Sequence, residues 1–195
     1  MGLYNRISAL VLAGGQSSRM GQDKALLELA GKPLYQHMIS IVNQAGIDSV
    51  VVSGNQLPDA LVDRIPGKGP LSGIHAALMA FFDKGCEGLV VVPVDMPMLS
   101  AGLVKALYEY GSQSHRISCY EGFMLPLFIP VNQGVIDYVS LAITSPVTRD
   151  YSLYRLHQRL NGGTMPVPEG MERFFSNANT PEEWASCLSE LMSLE

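Results

Sequence analysis

The stretch Ser8-Ala9-Leu10-Val11-Leu12-Ala13-Gly14-Gly15-Gln16-Ser17-Ser18-Arg19-Met20-Gly21-Gln22-Asp23-Lys24 decides how this chain is read. A brief apolar run, Ser8 to Leu12, ends at Ala13-Gly14-Gly15, as a buried strand does when it feeds a loop. Adjacent glycines let backbone N–H groups approach an anion with no Cβ in the way. Arg19 adds a planar fork of donors for phosphate oxygens, and Lys24 a movable point charge. Together they form a cradle able to neutralise a triphosphate and to stabilise charge growing on it during transfer. Two familiar phosphate loops fail on spacing. The GxxxxGK[ST] pattern needs Lys directly after its glycine, whereas Gln22-Asp23 follow Gly21, and the GxGxxG fingerprint is absent.

Outward from this loop, strand-like and helical patterns alternate. Pro33 to Gln44 carries Leu34, Met38, Ile41 and Val42 at helical spacing, with Pro33 suited to the first helical position and Gly46 to the stop. Ser49 to Ser53 is a second strand, closed by Gly54-Asn55. Pro66 to Gly73 reads as a Gly/Pro-rich loop, and Ile74 to Phe82 as a helix. Gly88-Leu89-Val90-Val91-Val92-Pro93 is a third strand, apolar on both faces, as in a parallel sheet covered by helices on both sides. Ser100 suits an N-cap for a helix through Tyr110. Beyond it, Arg116 to Tyr120 and Phe123 to Ile129 read as strands, and Val131 to Ile143 and Tyr151 to Leu160 as helices. Thr180-Pro181-Glu182-Glu183 opens a C-terminal helix with a cap and acids in its first turn. The fold class is α/β, a three-layer α/β/α sandwich with a mostly parallel, Rossmann-like sheet.

The bulk numbers agree. The 195 residues suit one domain, and 47% apolar with 16% charged residues supports a sizeable core. Thirteen basic against 18 acidic side chains give a formal charge of −5, which offers no general attraction for nucleic acid or anionic membranes. Any phosphate site is therefore local. Cys86, Cys119 and Cys187 lack metal-ligand spacing and read as reduced thiols of a cytoplasmic protein. No signal peptide or membrane span is visible.

Asp95, just past the third strand in Val92-Pro93-Val94-Asp95-Met96-Pro97, sits on the rim where α/β sheets bind ligands. Mg²⁺ takes one or two carboxylates together with phosphate oxygens and water, so one aspartate facing a triphosphate suffices. Asp95 is the expected metal ligand. Histidines His37, His75, His115 and His157 are scattered without a ligand pair and read as structural.

The glycine-rich stretch resembles the LAGGxSxRMGxDK signature of the molybdenum cofactor guanylyltransferases, within the nucleotidyltransferase superfamily that includes sugar-nucleotide pyrophosphorylases. Gly31-Lys32-Pro33-Leu34 continues the match, resembling the GKPL that opens the next helix in these enzymes. The Asp95 segment looks like the family's PxDxP element. Gly69-Pro70-Leu71-Ser72-Gly73 resembles its GPLxG segment, and Asn177-Ala178-Asn179-Thr180-Pro181-Glu182-Glu183 its NxNTPEE element.

By this resemblance the fold is of the nucleotide-diphospho-sugar transferase type. Leu12, Ala13, Gly14, Gly15, Lys24, Ser53, Asn55, Asp63, Gly69, Pro70, Leu71, Gly73 and Asp95 bind the nucleotide. Arg19, Lys24 and Asp95 serve catalysis, and Asn177 and Asn179 face the pterin acceptor. The implied reaction moves GMP from GTP to molybdenum-molybdopterin with Mg²⁺, and the implied protein partners are molybdoenzymes or cofactor-delivery proteins. The chain is expected to be a monomer, with residues 1–110 serving the nucleotide and 111–195 the acceptor. Two departures stand out: Ser53 where the family often has Asn, and Leu125-Pro126 where it often has His-Pro. The alternatives are a cytidylyltransferase or sugar-phosphate nucleotidyltransferase, and a non-catalytic cofactor-binding relative. The Ala13-Gly14-Gly15 triplet favours guanine, since cytidylyl relatives tend to have Ala-Ala-Gly there.

Overall fold

A computed structural model describes residues 6–14, 23–54, 57 and 59–193. In chain order the elements are β1 (Ile7–Leu12), β2 (Glu28–Leu29), β3 (Lys32–Pro33), α1 (Leu34–Gln44), β4 (Ser49–Ser53), α2 (Pro70–Phe82) and β5 (Gly88–Pro93). There follow α3 (Ala101–Ser114), β6 (Ser118–Tyr120), β7 (Leu127–Pro130), α4 (Gln133–Thr144), α5 (Leu153–Arg159), β8 (Gly163–Met165) and α6 (Pro181–Met192). One six-stranded sheet runs β4-β1-β5-β7-β6-β8, and β2 pairs with β3 as a separate small hairpin.

β1 lies parallel to both β4 and β5, so three strand ends point to one edge of the sheet. β7 runs antiparallel to β5 and to β6, and β8 runs parallel to β6. The mostly parallel sheet expected from the doubly apolar strands is therefore present, with β7 reversed.

Alternation along the strands divides the core into two layers. Ala9, Val11, Val90 and Val92 face Leu34, Met38 and Val42 of α1 and Val104 and Leu107 of α3. Leu10, Leu12, Leu89 and Val91 face Leu71, Ile74 and Leu78 of α2, Val135 and Val139 of α4, and Leu156 of α5. Every one of these residues is buried, so both faces of β1 and β5 are dry. That explains why these strands read as continuous apolar runs.

The structure corrects several expected boundaries. Pro66 to Gly73 is not all loop, because α2 begins at Pro70, with the fixed φ of proline at its first position and Gly69 (φ 58°) as the preceding turn. Ser72 seals that start, accepting the Lys68 N–H (3.1 Å) and donating to the Ile65 carbonyl (2.8 Å). Pro33 ends β3 and precedes α1 instead of opening it, and the Leu34 N–H donates to the Leu27 carbonyl at 2.8 Å. α3 runs on to Ser114 and ends at His115 in the left-handed region. Phe123 to Ile129 shrinks to Leu127–Pro130, and the short β8 lies outside the sequence reading. Tyr151 belongs to a 3-10 turn, Thr148–Tyr151, that precedes α5.

Cys86, Cys119 and Cys187 are free and buried, and burial pushes the Cys119 thiol up to about 11. Among the described residues, no helix is long and apolar enough to cross a membrane.

Candidate functional site

The ladder hydrogen bonds continue past the ends of the parallel strands. The Ala13 N–H donates to the Ser53 carbonyl at 3.0 Å, and the Val94 N–H to the Leu12 carbonyl at 3.0 Å. Three loops, after β1, β4 and β5, thus leave the sheet side by side along one rim. A cavity of about 290 Å³ opens there, lined by Leu12, Ala13, Gly14, Lys24, Pro70, Pro93, Val94, Asp95, Leu125 and Asn179. Seven of the residues singled out in the sequence therefore meet at one place: Leu12, Ala13, Gly14, Lys24, Pro70, Asp95 and Asn179.

Lys24 begins a 3-10 turn, Lys24–Leu26, whose first N–H groups would otherwise be unpaired. The Asp23 carboxylate accepts from the Ala25 N–H at 3.0 Å, and Ala25 is fully buried, which fixes the turn to the core. From this base the Lys24 ammonium donates to Asn179 Oδ1 at 2.5 Å, across 155 positions of sequence. Asp95 is half-buried. Desolvation raises its carboxyl above the ordinary value of 3.8, while the Lys24 charge and its own backbone N–H pull the other way. A carboxylate whose ionised form is poorly solvated gains most from a cationic partner. No cluster of three or more His, Cys, Asp or Glu occurs among the described residues.

The C-terminal segment closes the cavity. The Ala178 N–H donates to the Asp95 carbonyl at 2.8 Å, and buried Ala178, Met98 and Cys187 form a small cluster with Trp184 and Leu191 against it. Phe175 anchors the approach, stacking on Phe123 at 4.5 Å between ring centroids and meeting Tyr120 edge-on at 4.9 Å. On the far side of the Asp95 loop, His37 Nε2 of α1 donates to the Pro97 carbonyl at 2.9 Å. Sequence spacing gives no sign of that role, because the partner is a main-chain atom 60 positions away.

The other expected residues stand behind or beside the wall. Ser53, Leu71 and Gly73 are buried under it. A Cβ on Gly73 would lie 2.8 Å from Ser53 Oγ and 3.1 Å from Leu12 Cδ2, so glycine lets α2 seat directly on the strand ends. Gly69 precedes Pro70 on the rim. Leu61 bridges to Ser53 beside β4, its N–H donating to the Val52 carbonyl at 2.7 Å, which sets Asp63 just beyond, half-buried, with burial pushing its carboxyl up. Asn177 is exposed. Gly15, Arg19 and Asn55 lie outside the described residues.

Leu125, Val94 and Pro93 join the wall without having been marked for it as site residues. Leu125 had stood out as a departure from a family pattern, and its place in the cavity shows that the position faces the site. Lys68 is committed elsewhere, donating to the Ser145 carbonyl at 2.7 Å with its charge 4.4 Å above the Tyr151 ring. A larger cavity of about 460 Å³ opens at the opposite edge of the sheet, between α3 and the starts of β1 and β5, and none of the candidate residues lines it.

The MobA-like NTP transferase domain family matches residues 9–142. A molybdenum cofactor guanylyltransferase of Xanthomonas euvesicatoria is 38% identical over 97% of this chain and 98% of its own length. One from Rhodobacter capsulatus is 31% identical over 92% and 94%. In three dimensions the chain is similar to molybdopterin-guanine dinucleotide biosynthesis protein A of Archaeoglobus fulgidus, with a TM-score of 0.75, 22% identity, and 96% and 100% coverage. It is also similar to 2-C-methyl-D-erythritol 4-phosphate cytidylyltransferase of Thermus thermophilus, with a TM-score of 0.67, 16% identity, and 95% and 98% coverage. The structural likenesses establish a shared nucleotidyltransferase fold. Because guanylyl and cytidylyl enzymes both have it, the fold does not select the base.

Proposed function

Since this chain belongs to the MobA-like NTP transferase family, we propose that it transfers GMP from GTP to the phosphate of molybdenum-molybdopterin. The observation that carries the reading is the meeting of Lys24, Asp95 and Asn179 around one cavity at the ends of β1 and β5. An ammonium, a carboxylate and an amide at a strand-end rim suit, in turn, a triphosphate, its metal and a polar heterocycle.

In the proposed step an oxygen of the acceptor phosphate bonds to the α-phosphorus, and the α–β bridging bond breaks, with its electron pair leaving on pyrophosphate. The acceptor is already anionic, so no protein nucleophile or base is required, and positioning and charge neutralisation carry the rate. Gly14 and Gly15 give the phosphates close access to main-chain N–H groups. Lys24, with Arg19, neutralises the α-phosphate and the departing pyrophosphate. Ala13, Asn55, Asp63, Gly69 and Pro70 form the nucleoside side of the cleft, backed by buried Ser53, Leu71 and Gly73, while Asn177 and Asn179 face the acceptor. Residues 1–110 thus handle the donor and 111–195 the acceptor.

The residues present fit Mg²⁺, which takes one or two carboxylates with phosphate oxygens and water, since Asp95 stands at the cavity and no metal-holding cluster of His, Cys, Asp or Glu surrounds it among the described residues. Asp95 would hold the ion, which supplies Lewis-acid stabilisation of phosphoryl charge when bound.

The test is direct. Purified protein with Mg²⁺, GTP and molybdenum-molybdopterin should yield the guanine dinucleotide by mass, and Asp95→Ala should abolish product while its circular dichroism stays unchanged. In competition among GTP, CTP, ATP and UTP, a preference for CTP would overturn the guanine assignment. Tight nucleotide and pterin binding without pyrophosphate release would favour a carrier.

A further inference from the structure

Asn179 is held with unusual completeness. A capping box ordinarily joins the side chain at the fourth position to the N-cap N–H alone. Here one oxygen of Glu183, Oε2, accepts from the Thr180 N–H at 3.1 Å and also from the Asn179 N–H at 2.6 Å. The other half of the box is the Glu183 N–H donating to Thr180 Oγ1 at 3.2 Å. One residue earlier, the Ala178 N–H is tied to the Asp95 carbonyl. Three successive N–H groups are therefore pinned, two of them by one exposed carboxylate. The main chain held by this arrangement carries the side chain that meets the Lys24 ammonium.

We propose that Glu183 is a positioning residue for the phosphate-binding lysine, acting through Asn179, an inference that rests on the reading of Lys24 given above. An ammonium carries three donors, so anchoring one to Asn179 Oδ1 is compatible with meeting a phosphate oxygen through another. Lysine has a long, rotamer-rich stem, and an anchored head loses less freedom when the triphosphate arrives. The helix cap at the end of the chain thus sets the aim of a cation near its beginning.

Affinity for magnesium tripolyphosphate and for GTP, measured by isothermal titration, tests this. Glu183→Ala should weaken both about 10-fold, the scale of one hydrogen bond to a charged group. Glu183→Gln, whose amide oxygen still accepts from both N–H groups, should stay within about twofold of the parent. Thr180→Ala breaks the other half of the box and frays α6 comparably, yet leaves both bonds to Glu183, so it too should stay within about twofold. Adding Glu183→Ala to Asn179→Ala should weaken binding no further. Equal losses from Thr180→Ala and Glu183→Ala, additive losses in the double variant, or no loss from Glu183→Ala would each overturn the proposal. Parent protein that bound tripolyphosphate but showed no preference for GTP would instead count against the nucleotide reading, with the Glu183 ratios still deciding this one.

Discussion

Gly73→Ala puts the packing behind the cavity to a quantitative test. The added Cβ would stand 2.8 Å from Ser53 Oγ and 3.1 Å from both Ser53 Cβ and Leu12 Cδ2. Carbon atoms pack best at about 3.5–4.0 Å, so the first turn of α2 must withdraw from the ends of β1 and β4 by several tenths of an ångström. Overpacking of this kind costs about 1–3 kcal/mol, and alanine returns up to about 1 kcal/mol of helix propensity. The net expectation is a loss of about 1–2 kcal/mol, read as a fall in Tm of roughly 3–6 °C for a chain of this size. The same displacement moves Pro70, which lines the cavity with Leu12 and Gly14, so kcat/KM for GTP should fall about 10-fold or more. Trimming the obstacle should help. Ser53→Gly combined with Gly73→Ala removes two of the three close contacts and should recover most of the lost Tm. Differential scanning calorimetry and steady-state pyrophosphate release measure the two effects. A Gly73→Ala protein with unchanged Tm and unchanged kcat/KM would refute the claim that α2 seats on Ser53.

Three further outcomes follow from the geometry. Lys24→Ala should lower kcat/KM about 100-fold or more through loss of charge stabilisation, and a fall under threefold would place the triphosphate elsewhere. Phe175→Ala empties a site bounded by Tyr120 and Phe123 and should destabilise by about 3–5 kcal/mol in urea titrations. Its KM for the acceptor should rise more than its affinity for GTP falls, whereas an equal change in both would deny the C-terminal segment a separate role. His75 is buried with Nδ1 unpartnered among the described residues, and desolvation, with a smaller contribution from Arg64, depresses its pKa below 6.5. The unfolded chain then binds a proton more readily, so stability is full above about pH 6.5 and is lost as pH falls through the folded value. His75→Leu should flatten that part of the stability–pH curve, and an unchanged slope would show that another group is responsible.

Much of this arrangement was legible because it is local. β1 and β5 announce themselves as continuous apolar runs, since both faces of the sheet are covered, and α1 through the spacing of Leu34, Met38, Ile41 and Val42. Asp95 was placed on the ligand rim because a strand end needs no tertiary knowledge to locate. What could not be read depends on distant partners. The reversal of β7 is a matter of pairing with β5 and β6, to which Leu127–Pro130 contributes only a short apolar run. The start of α2 at Pro70 was hidden by glycines that look like loop until Gly73 is seen against Ser53. His37 read as structural and Glu183 as a first-turn acid of α6, but their distant or extra partners could not be read, for a common reason. Each works on main-chain atoms that no motif marks: the Pro97 carbonyl, 60 positions from His37, and the Asn179 N–H, which lies outside the Thr180–Glu183 capping box.

The hydrogen bond from Ala178 to the Asp95 carbonyl also has a meaning in time. A ribosome delivers Lys24 first, Asp95 much later and Asn179 close to the end of this sequence. The strands β1 and β5 that end at the cavity can pair, and α1 and α2 can cover them, before the segment that seals the cavity has been made. A nascent chain therefore passes through a stage in which the cavity is open on the side that Ala178 and Asn179 later close. Any lesion that stops synthesis or clips the chain before Phe175 would remove the ring that packs on Tyr120 and Phe123 and the Asn179 oxygen that the Lys24 ammonium meets.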